Sequence, residues 1–168
     1  MNPANGIEQE FVTMIQQQED LLHKVCHIYA NDADGRKDLF QEIVLQAWRA
    51  YPTYRREAKV GTWLYRIALN TAISQIRKLN RSPIDPTTQP DFELAELADD
   101  ALKERYKMLD SLIGQLPPLE KALILLYLED KKHHEIAEIL GISISNVGTR
   151  LARIREKLKK QAQPLINQ

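Results

Sequence analysis

Pro83, Pro86 and Pro90 fall within one short stretch, Ser82 to Pro90, and the apolar residues on either side of it recur at helical spacing. Proline lacks an amide donor and clashes with the preceding helical turn, so no helix runs through this stretch. Its companions are mostly small and polar, as suits a linker. The 168-residue chain is therefore cut into two helical blocks. Glycine is scarce, with six in the chain, and no alternating strand pattern or internal repeat is visible. The expected fold class is all-α: two small helical domains joined by a flexible linker. The expected boundaries are 1–81, then 82–112 as an acidic linker with a leading helix, then 113–168.

Within these blocks the spacing predicts a first helix over about Ile7 to Tyr29 and a turn over Asn31 to Gly35. A second helix is expected from about Arg36 to Ala50, ended by Pro52. Residues Thr53 to Gly61 read as a polar, basic loop. Thr62 is the expected N-cap of a third helix reaching about Leu79. Beyond the linker, a helix is expected from Phe92 to Ile113, and Pro117-Pro118 opens another, where proline is tolerated in the first turn.

Formal net charge is zero, but the charges are segregated. Arg55 to Arg81 is rich in Arg and Lys, with Glu57 its only acid. Asp85 to Asp100 carries acids and no base, and Arg150 to Lys160 is basic except for Glu156. Two basic segments flanking an acidic one point to a polyanionic partner. The single cysteine, Cys26, excludes an internal disulfide and a cysteine-cluster zinc site; its expected place is the core. No apolar run reaches the roughly 20 residues of a membrane span and no signal-peptide pattern opens the chain, so a cytoplasmic protein without membrane insertion is expected. No nucleophile–base constellation, metal-spaced ligand set or glycine-rich phosphate loop is present, so no enzyme, metal site or cofactor is expected. His133 and His134 are adjacent, point in different directions on a helix, and read as solvent-facing.

His133 to Lys160 fits a helix-turn-helix. Ile136, Ala137 and Leu140 give the first helix its inner side, and Gly141 supplies the turn. The second helix starts near Ser143, with Ile144, Val147, Leu151, Ile154 and Leu158 as its inner stripe. Asn146, Thr149, Arg150, Arg153 and Lys157, with Ser145 beside them, fall on the opposite face, where they can contact base edges and phosphates in a major groove. An ordinary helical hairpin with a solvated basic face carries the same pattern. Gly148, inside this helix, costs about 1 kcal/mol relative to alanine; it allows close approach to a DNA backbone, or it is simply tolerated.

In the N-terminal block, Phe40, Ile43, Val44 and Ala47 form the expected core stripe of the second helix. Asp38, Gln41, Glu42, Leu45 and Arg49 share another face, either a protein-binding patch or a solvated face with a stray leucine. Next, Tyr51, Tyr54, Trp63 and Tyr65 interleave with Arg55, Arg56, Lys59 and Arg66. Rings among cations suit single-stranded DNA, whose bases stack while its phosphates are tracked. Thr62, Arg66, Asn70, Ser74, Arg77 and Lys78 share the polar side of the third helix. Trp63 and Tyr65 cannot both face outward, so at least one ring belongs to the core.

These residues carry a family resemblance. Asp38-Leu39-Phe40-Gln41-Glu42 with Ala47-Trp48-Arg49 resembles region 2.2 of the sigma-70 family of RNA polymerase sigma factors. Gly61-Thr62-Trp63-Leu64-Tyr65-Arg66-Ile67-Ala68-Leu69-Asn70 resembles region 2.4. Leu116-Pro117-Pro118-Leu119-Glu120-Lys121 resembles the opening of region 4, and His134 to Leu158 its helix-turn-helix. Three such motifs in order across a linker resemble the compact extracytoplasmic-function (ECF) subfamily. Ile43-Val44 and Gly148 depart from the commoner family pattern, as does the absence of an acid near Ser74-Gln75.

The resemblance implies a factor that directs core RNA polymerase to promoters. Asp38, Gln41, Glu42, Leu45 and Arg49 would dock on the polymerase clamp helices, and the C-terminal module on its flap. Tyr54, Arg55, Arg56, Lys59, Thr62, Trp63, Arg66, Asn70, Ser74 and Arg77 would read and open the −10 element. The loop from Tyr51 to Gly61 would hold a flipped-out base. Ser145, Asn146, Thr149, Arg150, Arg153 and Lys157 would read the −35 element. The acidic linker would thread the channel that later carries RNA, and an anti-sigma factor is a candidate partner. A stand-alone helix-turn-helix regulator would explain the C-terminal module but not the Asp38–Glu42 motif or the aromatic–basic loop.

Overall fold

The computed structural model of the chain describes residues 3–79 and 99–167; the expected linker over 82–90 and the start of the leading helix, 92–98, lie outside them. The chain divides into two compact units, Met1–Ile84 and Asp85–Gln168. All regular structure among the described residues is helical.

The first unit holds α1 (Pro3–Gln17), α2 (Glu19–Tyr29), α3 (Ala33–Ala50) and α4 (Val60–Leu79), with a 3-10 turn at Tyr51–Thr53. The single helix expected over 7–29 is broken at Gln18, which leaves helical geometry at φ −110°, ψ 15°. Glu19 and Asp20 then stand in the first turn of α2, where carboxylates suit the exposed amides and the helix dipole. α3 begins earlier than expected. Asp32 caps it by accepting from the Gly35 amide at 2.6 Å, and a Cβ on Gly35 would come within 2.7 Å of that oxygen. Gly35 therefore belongs to the helix's first turn. α4 starts at Val60, so Thr62 lies inside the first turn and is not the cap.

α2, α3 and α4 pack on one another, with α1 against α2. Leu22, Val25, Ile43, Ala47, Leu64 and Ala68 are fully enclosed between them. On α3 the core takes Leu39 with Ile43 and Ala47, while Phe40 and Val44 are only half-buried. The stripe is thus rotated by about one residue from the expected one, and Phe40 instead stacks on His23 at 5.1 Å. Cys26 is a core residue, 2% exposed.

The second unit holds α5 (Asp100–Gly114), α6 (Pro118–Leu128), α7 (His133–Leu140) and α8 (Ile144–Ile166). α6, α7 and α5 all pack on α8, burying Leu112, Ile113, Leu123, Leu126, Ile136 and Ile154. The expected boundary at 112/113 falls inside α5, which packs as part of this unit. Pro118 is the first residue of α6, where its missing amide costs nothing.

The α7–turn–α8 joint is set by three residues. Gly141 adopts φ 68°, the left-handed region glycine enters freely, and the amides of Gly141 and Ile142 both donate to the Ala137 carbonyl. Ser143 then caps α8 by accepting from the Asn146 amide at 3.1 Å. On α8, Val147, Leu151, Ile154 and Leu158 are buried as expected. Ile144 is not, being 56% exposed as the first residue of α8. On α7 the core takes Ile139 with Ile136 and Ala137, and Leu140 is half-buried. His133 and His134 are exposed.

Candidate nucleic-acid interface

In the first unit Phe11, Trp48, Tyr51, Tyr54 and Trp63 form one connected aromatic cluster. Phe11 of α1 meets Trp48 edge-on at 5.0 Å and Tyr51 at 5.2 Å. Tyr54 stacks on Trp63 at 4.5 Å and 28°, and Tyr51 meets Trp63 edge-on at 6.3 Å. Such pairs are attractive beyond the area they bury. Tyr65 is the ring that belongs to the core, 3% exposed, whereas Trp63 and Tyr54 are half-buried and keep ring surface at solvent. The Tyr54 hydroxyl donates to the Ala58 carbonyl at 2.7 Å, which closes the loop beneath the stack.

Around this platform Arg55, Arg56 and Lys59 are exposed. Arg56 sits in the left-handed region at φ 60° and pairs with Glu10 of α1. Glu10, and after it Tyr51, push the Arg56 guanidinium above its ordinary pKa. Along α4, Trp63, Arg66 and Asn70 follow at offsets of three and four, and so share one face; Arg66, Asn70, Ser74 and Arg77 are exposed and Thr62 is half-buried.

On α3, Asp38, Gln41, Leu45 and Arg49 are exposed, and Glu42 is half-buried, accepting from Gln46 Nε2 at 2.8 Å. Leu45 and Trp48 are exposed apolar residues, 42% and 37%. Glu42 and Gln46 share a groove of about 540 Å³ with Asn70, Ser74 and Lys78 of α4. Two residue sets that the sequence assigns to different partners thus meet along one groove.

In the second unit, Ser145, Thr149 and Arg153 are exposed, and Asn146 and Arg150 are half-buried. Arg150 Nε donates to Asn146 Oδ1 at 3.0 Å, and the Thr149 hydroxyl donates to the Ser145 carbonyl. Lys157 lies 3.7 Å from Glu120 Oε2 of α6, an oxygen shielded from solvent and without a hydrogen-bond partner. Lys157 is thereby tied to α6, a role its spacing on α8 does not reveal. Gly148 faces α7: a Cβ there would meet the His133 ring at 3.7 Å, on the flank of α8 away from Arg150 and Arg153. A methyl at this position would thus meet α7 at an ordinary contact distance.

The residues that sequence reasoning missed are Phe11, which joins Trp48 to Tyr51, and the acids Glu10 and Glu120, which engage Arg56 and Lys157. Each acts across helices, and local spacing carries no trace of it. No group of three or more metal-binding side chains occurs among the described residues, and none of their helices is long and apolar enough to cross a membrane.

Comparison with known proteins gives a consistent result. The family described as Sigma-70 region 2 matches residues 14–82, and Sigma-70 region 4 matches residues 106–158. RNA polymerase sigma-H factor of Pseudomonas aeruginosa is 33% identical, over 96% of each chain. ECF RNA polymerase sigma-E factor of Escherichia coli strain K12 is 32% identical, over 86% of this chain and 83% of that protein. Among solved structures, CnrH in complex with the cytosolic domain of CnrY superposes with a TM-score of 0.68 at 20% identity, covering 94% of this chain and 90% of that one. The sigma factor RpoE in complex with the anti-sigma factor NepR from Bartonella quintana gives 0.65 at 20% identity, covering 93% and 96%.

Proposed function

This chain belongs to the sigma-70 family of RNA polymerase sigma factors, in its extracytoplasmic-function branch, and we propose that its two units read the promoter in two physical forms, one as duplex and one as opened strand. As a sigma factor it directs promoter-specific transcription initiation and works with core polymerase and promoter DNA. The family consists of initiation factors; in our reading the chain performs no bond chemistry itself and acts in the cytoplasm, where the polymerase and the DNA are.

In the first unit, Asp38, Gln41, Glu42, Leu45 and Arg49 dock α3 on the polymerase clamp helices. Leu45 supplies an apolar contact and its neighbours supply charge that fixes register. The loop after α3 and the outer face of α4 hold the −10 non-template strand. The observation that carries this assignment is the Tyr54–Trp63 stack, with Arg66 and Asn70 on the same face as Trp63. Half-exposed rings offer a stacking surface worth about 1–3 kcal/mol per base, and Asn70 offers an amide to a base edge. A base taken out of the duplex costs a few kcal/mol, which such contacts offset.

In the second unit, α8 enters the major groove of the −35 element. Arg150 and Arg153 contact bases or phosphates, with Ser145, Asn146 and Thr149 beside them. Lys157 contributes through its tie to Glu120, which orients α8 on α6. The segment between the units threads the channel later taken by RNA, where its acids meet a basic lining. An anti-sigma factor is a partner class for this chain: a structural neighbour is described in complex with one.

Reconstituted transcription with bacterial core polymerase on a promoter library tests the reading. Initiation at a defined subset of promoters, dependent on this chain, is expected. A chain that bound promoter duplex tightly alone and left polymerase selectivity unchanged would favour a stand-alone regulator instead.

A further inference from the structure

α1 is more than a support for the core. With the loop that precedes α4 it forms a groove of about 720 Å³, within the size range of small-ligand sites, about 300–1,000 Å³. Gln9, Glu10 and Thr13 line it from α1, and Tyr51, Tyr54 and Arg56 from the other side. An ion pair links the two sides: the Glu10 carboxylate and the Arg56 guanidinium, 46 residues apart in sequence. Both side chains stay largely open to water, 52% and 69% exposed. A pair so exposed is screened by salt and easily exchanged. A carboxylate oxygen on a guanidinium also occupies the place a phosphate oxygen would take.

We propose that Glu10 is a built-in competitor for the promoter strand: its carboxylate occupies Arg56 in the free protein, and a backbone phosphate of the opened −10 strand displaces it. The proposal rests on the assignment of the 51–60 loop to the opened strand. Displacement costs the same for any single strand. A strand that also stacks bases on Tyr54 and Trp63 recovers that cost, and one that only presents phosphates does not. Glu10 thus holds down sequence-independent binding at the site where the first unit carries exposed cations.

The test uses holoenzyme reconstituted from the full chain and core polymerase. Its probe is a fluorescent single-stranded oligonucleotide carrying the non-template −10 sequence of a promoter it transcribes. Glu10→Gln keeps a side chain able to reach the loop but removes the charge. It should tighten binding roughly threefold to tenfold at about 50 mM salt, with the gain fading towards about 0.5 M as screening shortens. It should also steepen the logarithmic salt dependence, by at most about 0.7, because the Arg56–phosphate contact no longer replaces an existing ion pair. The gain should vanish in an Arg56→Gln background. Unchanged or weaker binding by Glu10→Gln, or a gain that persists without Arg56, overturns the proposal. If Tyr54→Ala and Arg56→Gln themselves bind as the parent does, the strand-reading assignment fails and the competitor role falls with it. If those two weaken binding and Glu10→Gln changes nothing, the competitor role alone fails.

Discussion

Arg150 Nε donates a 3.0 Å hydrogen bond to Oδ1 of Asn146, one turn earlier on α8. This bond uses the inner nitrogen of the guanidinium and leaves its two terminal amino groups to form the fork that grips guanine or phosphate. Asn146 therefore orders Arg150 before DNA arrives, which lowers the entropy lost on binding.

Arg150→Ala should weaken −35 recognition by about tenfold to a hundredfold, the usual worth of a lost base contact. Asn146→Ala should cost less, about threefold to tenfold, and should add little in an Arg150→Ala background. Affinity of holoenzyme for a −35 duplex measures both; full additivity of the two changes would show that Asn146 acts independently of Arg150.

Docking through α3 is tested by Leu45→Arg and Glu42→Lys. Leu45 is exposed and Glu42 half-buried, both off the stripe of Leu39, Ile43 and Ala47, so helicity and thermal stability should change little. Retention of core polymerase in a pull-down should fall at least tenfold. Normal retention by a normally folded variant would remove this face from the docking surface.

Gly148→Ala should stabilise the second unit by about 1 kcal/mol through the backbone entropy of glycine, seen as a rise of several degrees in its unfolding temperature. The added methyl would meet the His133 ring at an ordinary contact distance, 3.7 Å. Because it lies away from Arg150 and Arg153, −35 affinity should be unchanged. A loss of affinity would put Gly148 on the DNA face.

Burial pushes the Cys26 thiol up to about 11, with Arg36 pulling weakly the other way. In the unfolded chain a thiol titrates near about 8.5. The folded state thus favours the neutral form, and this contribution to stability is full below about 8.5 and lost as pH rises through about 11. Iodoacetamide at pH 8 should leave the native protein unlabelled and should label it fully in urea. The stability difference between parent and Cys26→Ala should shrink as pH rises through that window. Rapid labelling of native protein would contradict the burial.

Local signals in the sequence were sufficient for much of this fold. Gly141 and Ser143 located the helix-turn-helix joint, Pro118 the start of α6, and the three-and-four spacing of Val147, Leu151, Ile154 and Leu158 the inner face of α8. Features decided by packing between helices were less legible. Leu39 and Phe40 are adjacent and both apolar, so spacing did not decide which one the core would take. The break at Gln18 has neither glycine nor proline, and only Glu19 and Asp20 mark it. At the site, the cations Arg56 and Lys157 were visible as candidates, but their acidic partners lie on other helices. The aromatic–basic loop was legible as a composition, whereas the Tyr54–Trp63 stack within it depends on the chain folding back by nine residues.

The division of labour between the units is tested most directly by transcription from one promoter supplied as full duplex and as a version pre-melted at −10, with polymerase in excess. Asn70→Ala should fail on the duplex at the opening step and recover on the pre-melted template, while still forming closed complexes. Arg150→Ala should be impaired in binding to both templates, yet show near-normal opening once bound to the duplex. Equal rescue of the two variants by pre-melting, or rescue of neither, would contradict the assignment of duplex reading to α8 and strand reading to α4.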